Sequence, residues 1–251
     1  MNLAPKIFFY ESLPSTNTEA IRLAVRGAAE GVTVVADEQT AGRGRMQRSW
    51  SSPKGAGLYF TILLRPTISL ERWPLLTFMA AVAVNDALKE TCALETRIKW
   101  PNDILAGERK ICGILAEATD TPQGRAAVVG IGINLTSEAF PGELAHTATS
   151  VAEASGRNPR RNHLLDVLIE AIDRWYAVLQ NEGGPDMLIQ QWMQRSDYAY
   201  GKHVRVNSEG QVVEGITAGL ESDGALRVES EDGLINVVRA GDVVNVHRST
   251  N

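Results

Sequence analysis

The chain has only two cysteines in 251 residues, Cys92 and Cys112, both in apolar surroundings. A disulfide framework is therefore excluded, and both are expected as small buried hydrophobes. Histidine is also scarce, and His146, His163, His203 and His247 are too far apart for metal-ligand spacing. No apolar run approaches the ~18 residues that cross a bilayer as a helix. Residues Met1–Leu13 lack a basic stretch followed by a long apolar one, so no secretory signal is expected and the cytoplasm is the expected compartment. Positive charge is in deficit: 25 Lys and Arg stand against 30 Asp and Glu, a formal net charge of −5. That balance argues against a general nucleic-acid binder. Repeats and low-complexity tracts are missing as well. The remaining composition, 44% hydrophobic and 22% charged, suits a globular chain of one large domain, or one medium and one small.

Hydrophobic spacing gives the elements. Ile7–Leu13 reads as a strand, and Ser15-Thr16-Asn17-Thr18-Glu19 as a helix start with Ala20, Ile21, Ala24 and Val25 as its apolar face. Val32–Ala36 and Gly57–Arg65 are strands; Trp73–Thr91 is a helix burying Leu76, Met79, Ala80, Ala83, Val84 and Leu88. Arg97–Trp100 is a short strand stopped by Pro101. Asp103–Ala106 and Lys110–Glu117 form a hairpin around Gly107-Glu108. After a turn at Thr121–Gly124, Ala126–Leu135 is a buried strand whose Gly130 and Gly132 predict close approach of another backbone. His163–Leu179 and Pro185–Arg195 are helices. From Tyr198 the pattern changes to short alternating strands (His203–Asn207, Gln211–Ile216, Ala225–Glu229, Ile235–Val238, Val243–His247) separated by Asn-Ser-Glu-Gly, Ser-Asp-Gly and Glu-Asp-Gly turns. This predicts a small barrel of about fifty residues, marginal alone and so docked on the larger part.

Ala41–Trp50 concentrates three arginines, two glycines and an indole just after the second strand. Arginine presents a planar fork matched to phosphate oxygens, and glycine lets backbone amides approach an anion. The stretch predicts a mobile flap over a phosphorylated, base-bearing ligand; a solvated basic loop or an RGG-like tail is the alternative. Lys99-Trp100-Pro101-Asn102-Asp103 and Lys110–Glu117 follow it. Together, GRGRxxRxW, KWPND, K-x-x-GIL-x-E and GxGIN, in this order, resemble the biotin–protein ligase family from about Ser15 onward.

The resemblance implies an α+β protein: a mixed-sheet catalytic domain flanked by helices (residues 1–197), then an SH3-like all-β barrel (residues 198–251). It implies formation of biotinyl-5′-AMP from biotin and ATP, the Mg²⁺ arriving with ATP, and transfer of biotin to a lysine of a biotin carboxyl carrier domain. No tightly bound prosthetic group and no membrane or DNA partner are expected. Six residues precede the first strand, so the N-terminal DNA-binding domain of some family members is expected to be missing. A homodimer through a sheet edge is allowed, although no residue argues for it.

By the same likeness, Lys110, Arg45 and Asp103 are the catalytic candidates. Lys110 would neutralise charge growing at the α-phosphate, and Asp103 would orient Lys110 or help deprotonate the acceptor amine. Ser15, Thr16, Asn17, Gln39, Arg43, Gly44, Arg45, Lys110 and Gly113, with Ile114, are assigned to biotin. Arg43, Arg45, Arg48, Trp50, Asn102 and Asn134 are assigned to the nucleotide, Trp50 by stacking on adenine, while Gly42 and Gly44 let the flap order. Each residue has a structural alternative: helix capping for Ser15–Asn17, a loop anchor for Trp50, an Asx turn for Asn102-Asp103, a solvated hairpin lysine for Lys110, and tight strand packing for the segment ending at Asn134. Two other functions compete. A lipoate–protein ligase runs the same adenylation on another acid, and a non-catalytic adenylate- or RNA-binding module would use the basic loop alone.

Overall fold

From Ala126 to Asn134 every residue is buried, a pattern that fits only a central strand covered on both faces. The computed structural model describes residues 6–208 and 211–245. In it this segment belongs to β7 (Gly124–Asn134), the middle of a seven-stranded sheet. The other strands are β1 (Ile7–Leu13), β2 (Thr33–Gln39), β3 (Gly57–Leu64), β4 (Arg97–Lys99), β5 (Asp103–Ala106) and β6 (Arg109–Thr121). Their order is β1-β2-β3-β7-β6-β5-β4. Only β1 and β2 pair in parallel. The crossover that allows this is helix α1 (Thr16–Val25), lying between them in the chain.

α1 buries Thr16, Asn17, Ala20 and Ala24, one face at i, i+4 spacing. Val25, expected on that face, is 47% exposed at the C-terminal end. Ser15 holds the N-cap position with extended backbone, yet its hydroxyl makes no capping bond. The polar side chains at this helix start are thus free for another use.

Helix α2 (Leu75–Cys92) is buried well beyond the predicted stripe, with Phe78, Ala81, Val82 and Ala87 also inside. It runs between the sheet on one side and α4 (Arg161–Gln180) and α5 (Gly184–Gln194) on the other. A helix so enclosed needs no polar face. One short helix was not legible in the spacing: α3 (Val151–Ser155), capped by the Ser150 hydroxyl, which accepts the Glu153 N–H at 3.2 Å.

A second sheet follows, of β8 (Tyr200–Ser208), β9 (Gln211–Leu220), β10 (Leu226–Glu229), β11 (Ile235–Val238) and β12 (Asp242–Asn245). Its order is β11-β10-β9-β8-β12, antiparallel throughout. This is the expected small all-β unit. Part of the Asn207–Gly210 turn and the end of the strand predicted to reach His247 lie outside the described residues. The sheet docks as expected: Val204, Val206, Leu226 and Val228 join the main core, and Trp100 Nε1 donates to the Gly224 carbonyl at 3.0 Å. Among the described residues, no helix is long and apolar enough to cross a membrane.

Candidate active site

The floor of the site is a pair of adjacent strands stripped of side chains. Gly113 faces Gly132 and Leu115 faces Gly130 across the β6–β7 ladder. The glycines serve close approach, but of side chains and not of a backbone as the sequence suggested. A Cβ on Gly132 would fall 2.4 Å from Trp50 Nε1, and one on Gly130 only 2.0 Å from Asn17 Oδ1. Trp50 and Asn17 thus sit directly on the bare ladder.

Above this floor is a cavity of about 130 Å³ that gathers nearly all the candidate residues. Ser15, Thr16, Asn17 and Gln39 line one end; Arg43, Gly44, Arg45, Arg48 and Trp50 form the flap side; Asn102, Asp103, Lys110, Gly113 and Ile114 close the other end. Asn134 is not among them. It is buried at the end of β7, and its Nδ2 donates to the Thr149 carbonyl at 3.0 Å. It borders a second cavity of about 440 Å³.

At the polar end, side chains are tied together. The Thr16 N–H and hydroxyl both donate to Gln39 Oε1, at 2.9 and 3.1 Å. Thr61 donates to Asn17 Oδ1 at 2.6 Å, while Asn17 Nδ2 donates to Glu117 Oε2 at 2.7 Å. Ser15, Thr16 and Asn17 line the cavity without a capping bond from Ser15, and it is Gln39, from β2, that takes the first N–H of α1.

The flap is a small closed loop. The Trp50 N–H donates to the Gly42 carbonyl at 2.8 Å, and Arg43 bridges Ser49. A Cβ on Gly42 would lie 2.3 Å from the Trp50 carbonyl oxygen, so glycine is required here for closeness. Met46 and Gln47, at φ 52° and 59°, both adopt the left-handed region. Two successive residues there cost about 1–3 kcal/mol each and persist only because their neighbours hold the turn.

Each flap arginine has an acceptor. Arg43 makes a bidentate pair with Glu117, at 2.9 and 2.8 Å. Arg45 donates to Asn102 Oδ1 at 3.2 Å and to the Gly241 carbonyl at 3.3 Å. Arg48 pairs with Asp242 at the start of β12. Burial lowers the pKa of Arg45, opposed by the negative charges of Asp242 and Asp103.

The opposite wall comes from the β5–β6 hairpin. Lys110 Nζ lies 2.7 Å from Asp103 Oδ1 and 5.2 Å from the centre of the Trp50 ring. The two form an ion pair that faces the cavity. Trp50 Nε1 is buried without an acceptor. The Lys110 side chain is one-third exposed, and its backbone is held on both sides, Lys110 N–H to Thr147 O and Thr149 N–H to Lys110 O. The Trp100–Pro101 peptide is cis, and Asn102 is fixed by its Nδ2 donating to the Ile114 carbonyl at 2.9 Å.

Trp50, Arg48, Asp103 and Lys110 border both cavities. The larger one adds Lys99, Leu105, Phe140, Leu144 and Ala148. Burial lowers the pKa of Lys99, with Lys110 adding to the effect and Asp103 opposing it. Three contributors carried no assigned role from the sequence: Glu117, Asp242 and the Phe140–Ala148 segment. Glu117 was legible in principle, since it shares a face of β6 with Gly113 and Leu115. Asp242 and Phe140 reach the site through tertiary folding alone.

An arginine flap, a lysine–carboxylate pair and a polar pocket therefore surround two adjacent cavities that share lining residues. Known proteins share this arrangement of chain. The model of the biotin/lipoate A/B protein ligase family matches residues 9–134, and that of the biotin protein ligase C-terminal domain matches residues 200–244. A biotin--[acetyl-CoA-carboxylase] ligase of Paracoccus denitrificans is 36% identical over 237 residues, covering 91% of this chain and 96% of that protein. The bifunctional ligase/repressor BirA of Bacillus subtilis is 35% identical over 239 residues, covering 93% of this chain and 72% of that one. The biotin protein ligase of Aquifex aeolicus, solved in complex with biotin and ATP, superposes with a TM-score of 0.82 at 28% identity, covering 95% and 97% of the two chains. The chain belongs to the biotin/lipoate A/B protein ligase family.

Proposed function

We propose that this protein activates biotin with ATP and transfers it to a lysine of a biotin carboxyl carrier domain. The observation that carries the reading is the convergence on one cavity of a polar pocket, three flap arginines and Lys110. In the first step a biotin carboxylate oxygen attacks the α-phosphorus of ATP. The bond to the β-phosphate oxygen breaks, and pyrophosphate leaves with the Mg²⁺ that came with ATP. In the second step the acceptor Nζ attacks the anhydride carbonyl; the C–O bond breaks and AMP leaves.

Both steps concentrate negative charge at the α-phosphate, where Lys110, Arg43 and Arg45 supply fixed positive charge in a site partly closed to water. Arg48 adds to it on the phosphate side. Asp103, ion-paired with Lys110 at 2.7 Å, orients that ammonium and takes the proton that the acceptor amine must lose. Ser15, Thr16, Asn17 and Gln39 hold the ureido end of biotin, with Gly113, Gly44 and Ile114 as walls for its chain. Asn102 orients Arg45 beside the phosphate. Trp50, shared by both cavities, presents its ring to the adenine, with Asn134 supporting that wall. The larger cavity, with Phe140, Leu144 and Ala148, has the apolar lining a purine requires. Residues 1–197 form the catalytic unit and 198–251 the SH3-like unit, working in the cytoplasm.

The test is incubation with ATP, Mg²⁺ and radiolabelled biotin, then with a carrier domain. Acid-labile adenylate followed by a labelled carrier is expected. Absence of both leaves only a binding module. Lipoate is separated by thermal shift, because the true ligand stabilises the folded state in proportion to its affinity.

A further inference from the structure

Glu117 closes the family-like K-x-x-GIL-x-E stretch and has no part in the chemistry above. Its carboxylate does two things at once. Both oxygens accept from the Arg43 guanidinium, at 2.9 and 2.8 Å, and Oε2 also accepts from Asn17 Nδ2 at 2.7 Å. Arg43 belongs to the flap and Asn17 to the polar pocket, so a single carboxylate joins the lid to the floor. Glu117 does not line the inner cavity: with Arg43 and Leu115 it borders a cleft of about 430 Å³ between the flap and β6.

The connection continues through the floor. Asn17 Oδ1 accepts from Thr61, whose hydroxyl lies 2.8 Å from that of Thr16. Thr16 donates to Gln39, Gln39 Nε2 donates to Ser52 Oγ at 2.8 Å, and Ser52 reaches the Trp50 carbonyl at 3.2 Å. The path begins at the first arginine of the flap and returns to its last residue. Glu117 is the only charged acceptor along it and, with the Leu115 carbonyl, which accepts from the same Asn17 Nδ2 at 3.1 Å, it sets the polarity of the rest: Asn17 turns its NH₂ toward Glu117 and Leu115 and its carbonyl toward Thr61.

We infer that Glu117 is a positioning residue: it holds Arg43 over the reacting carboxylate and Asn17 in its orientation for biotin, so that a filled pocket and a closed flap reinforce each other. The inference rests on the biotin-ligase reading. A bidentate arginine pair has a fixed geometry, so the guanidinium loses less freedom when the ligand arrives. A carboxylate that merely stabilised the fold would move the melting temperature and nothing else.

The experiment uses the full chain carrying Glu117→Gln and, separately, Glu117→Asp. Release of biotinyl-5′-AMP, the biotin KM, kcat and the melting temperature are measured for each. Losing a partly exposed charged pair with one further hydrogen bond is expected to speed adenylate release and raise the biotin KM by about five- to tenfold each, with a smaller fall in kcat. Glu117→Asp should restore part of both, and serves if Glu117→Gln does not fold. In Arg43→Gln, adding Glu117→Gln should accelerate release no further, because the two act as one unit. Release and KM at wild-type values in Glu117→Gln, or full additivity with Arg43→Gln, would overturn the inference while leaving a wild type that makes adenylate intact. A wild type that makes none removes the functional reading, and this inference with it.

Discussion

Lys110 and Asp103 lie on the two strands of one hairpin, with Nζ and Oδ1 2.7 Å apart and the lysine side chain one-third exposed. A β-bulge between Ile104 and Leu105 shifts the β5–β6 register, so that Asp103 pairs with Gly113 and Leu105 with Lys110. The lysine lies beside the carboxylate while its ammonium stays over Trp50 and open to the cavity. A cation so placed reaches a phosphate without drifting into solvent.

Lys110→Ala should therefore lower carrier labelling by about 10²–10³, the usual cost of removing one electrostatic stabiliser from a reacting centre. Single-turnover labelling at saturating biotin and ATP measures it. A loss below about tenfold would take Lys110 out of the chemistry.

Arg43→Gly should act on retention. Without its guanidinium the flap loses the contact to Glu117 and to the activated carboxylate, and the adenylate escapes. Bystander proteins in the mixture should then become biotinylated, which streptavidin blotting detects. A variant that holds the adenylate as firmly as the wild type disproves the lid role.

Gly132→Ala tests the bare ladder. The new methyl would sit 2.4 Å from Trp50 Nε1, so the indole has to leave its place. Overpacking of this kind costs about 1–3 kcal/mol, and if it falls on the bound nucleotide the ATP KM rises about tenfold or more. An unchanged ATP KM with normal Trp fluorescence would show that the indole had room to spare.

Lys99 lines the larger cavity assigned to the nucleotide, where its ammonium would face the phosphates, and so should set an alkaline limit. Burial makes its charged form less favourable, so its proton leaves at lower pH than that of an ordinary lysine. Adenylate formation should decline on the alkaline side before the ordinary lysine range, and Lys99→Arg should move that limb upward. In the same interval the unfolded chain holds this proton more tightly than the folded one, so this group's contribution to stability grows as pH rises. A wild-type limb that Lys99→Arg leaves in place would exclude Lys99 from the profile.

Much of this protein was fixed by local chemistry. Periodicity placed the helices and strands to within a few residues, because each face had to be buried or wetted. Glycine spacing marked the β6–β7 floor, and the arginine-rich loop announced itself by composition. The sequence did not indicate what those glycines receive. Only the fold brings Asn17 from α1 and Trp50 from the flap onto Gly130 and Gly132, since strand spacing says that room exists and not who occupies it. The same holds for Glu117, 74 residues from Arg43, and for Asp242, 194 residues from Arg48. Ion pairs of that separation leave no periodic trace along a chain. They exist because two sheets and a crossover helix set the distances, and distance is what decides a charge's partner.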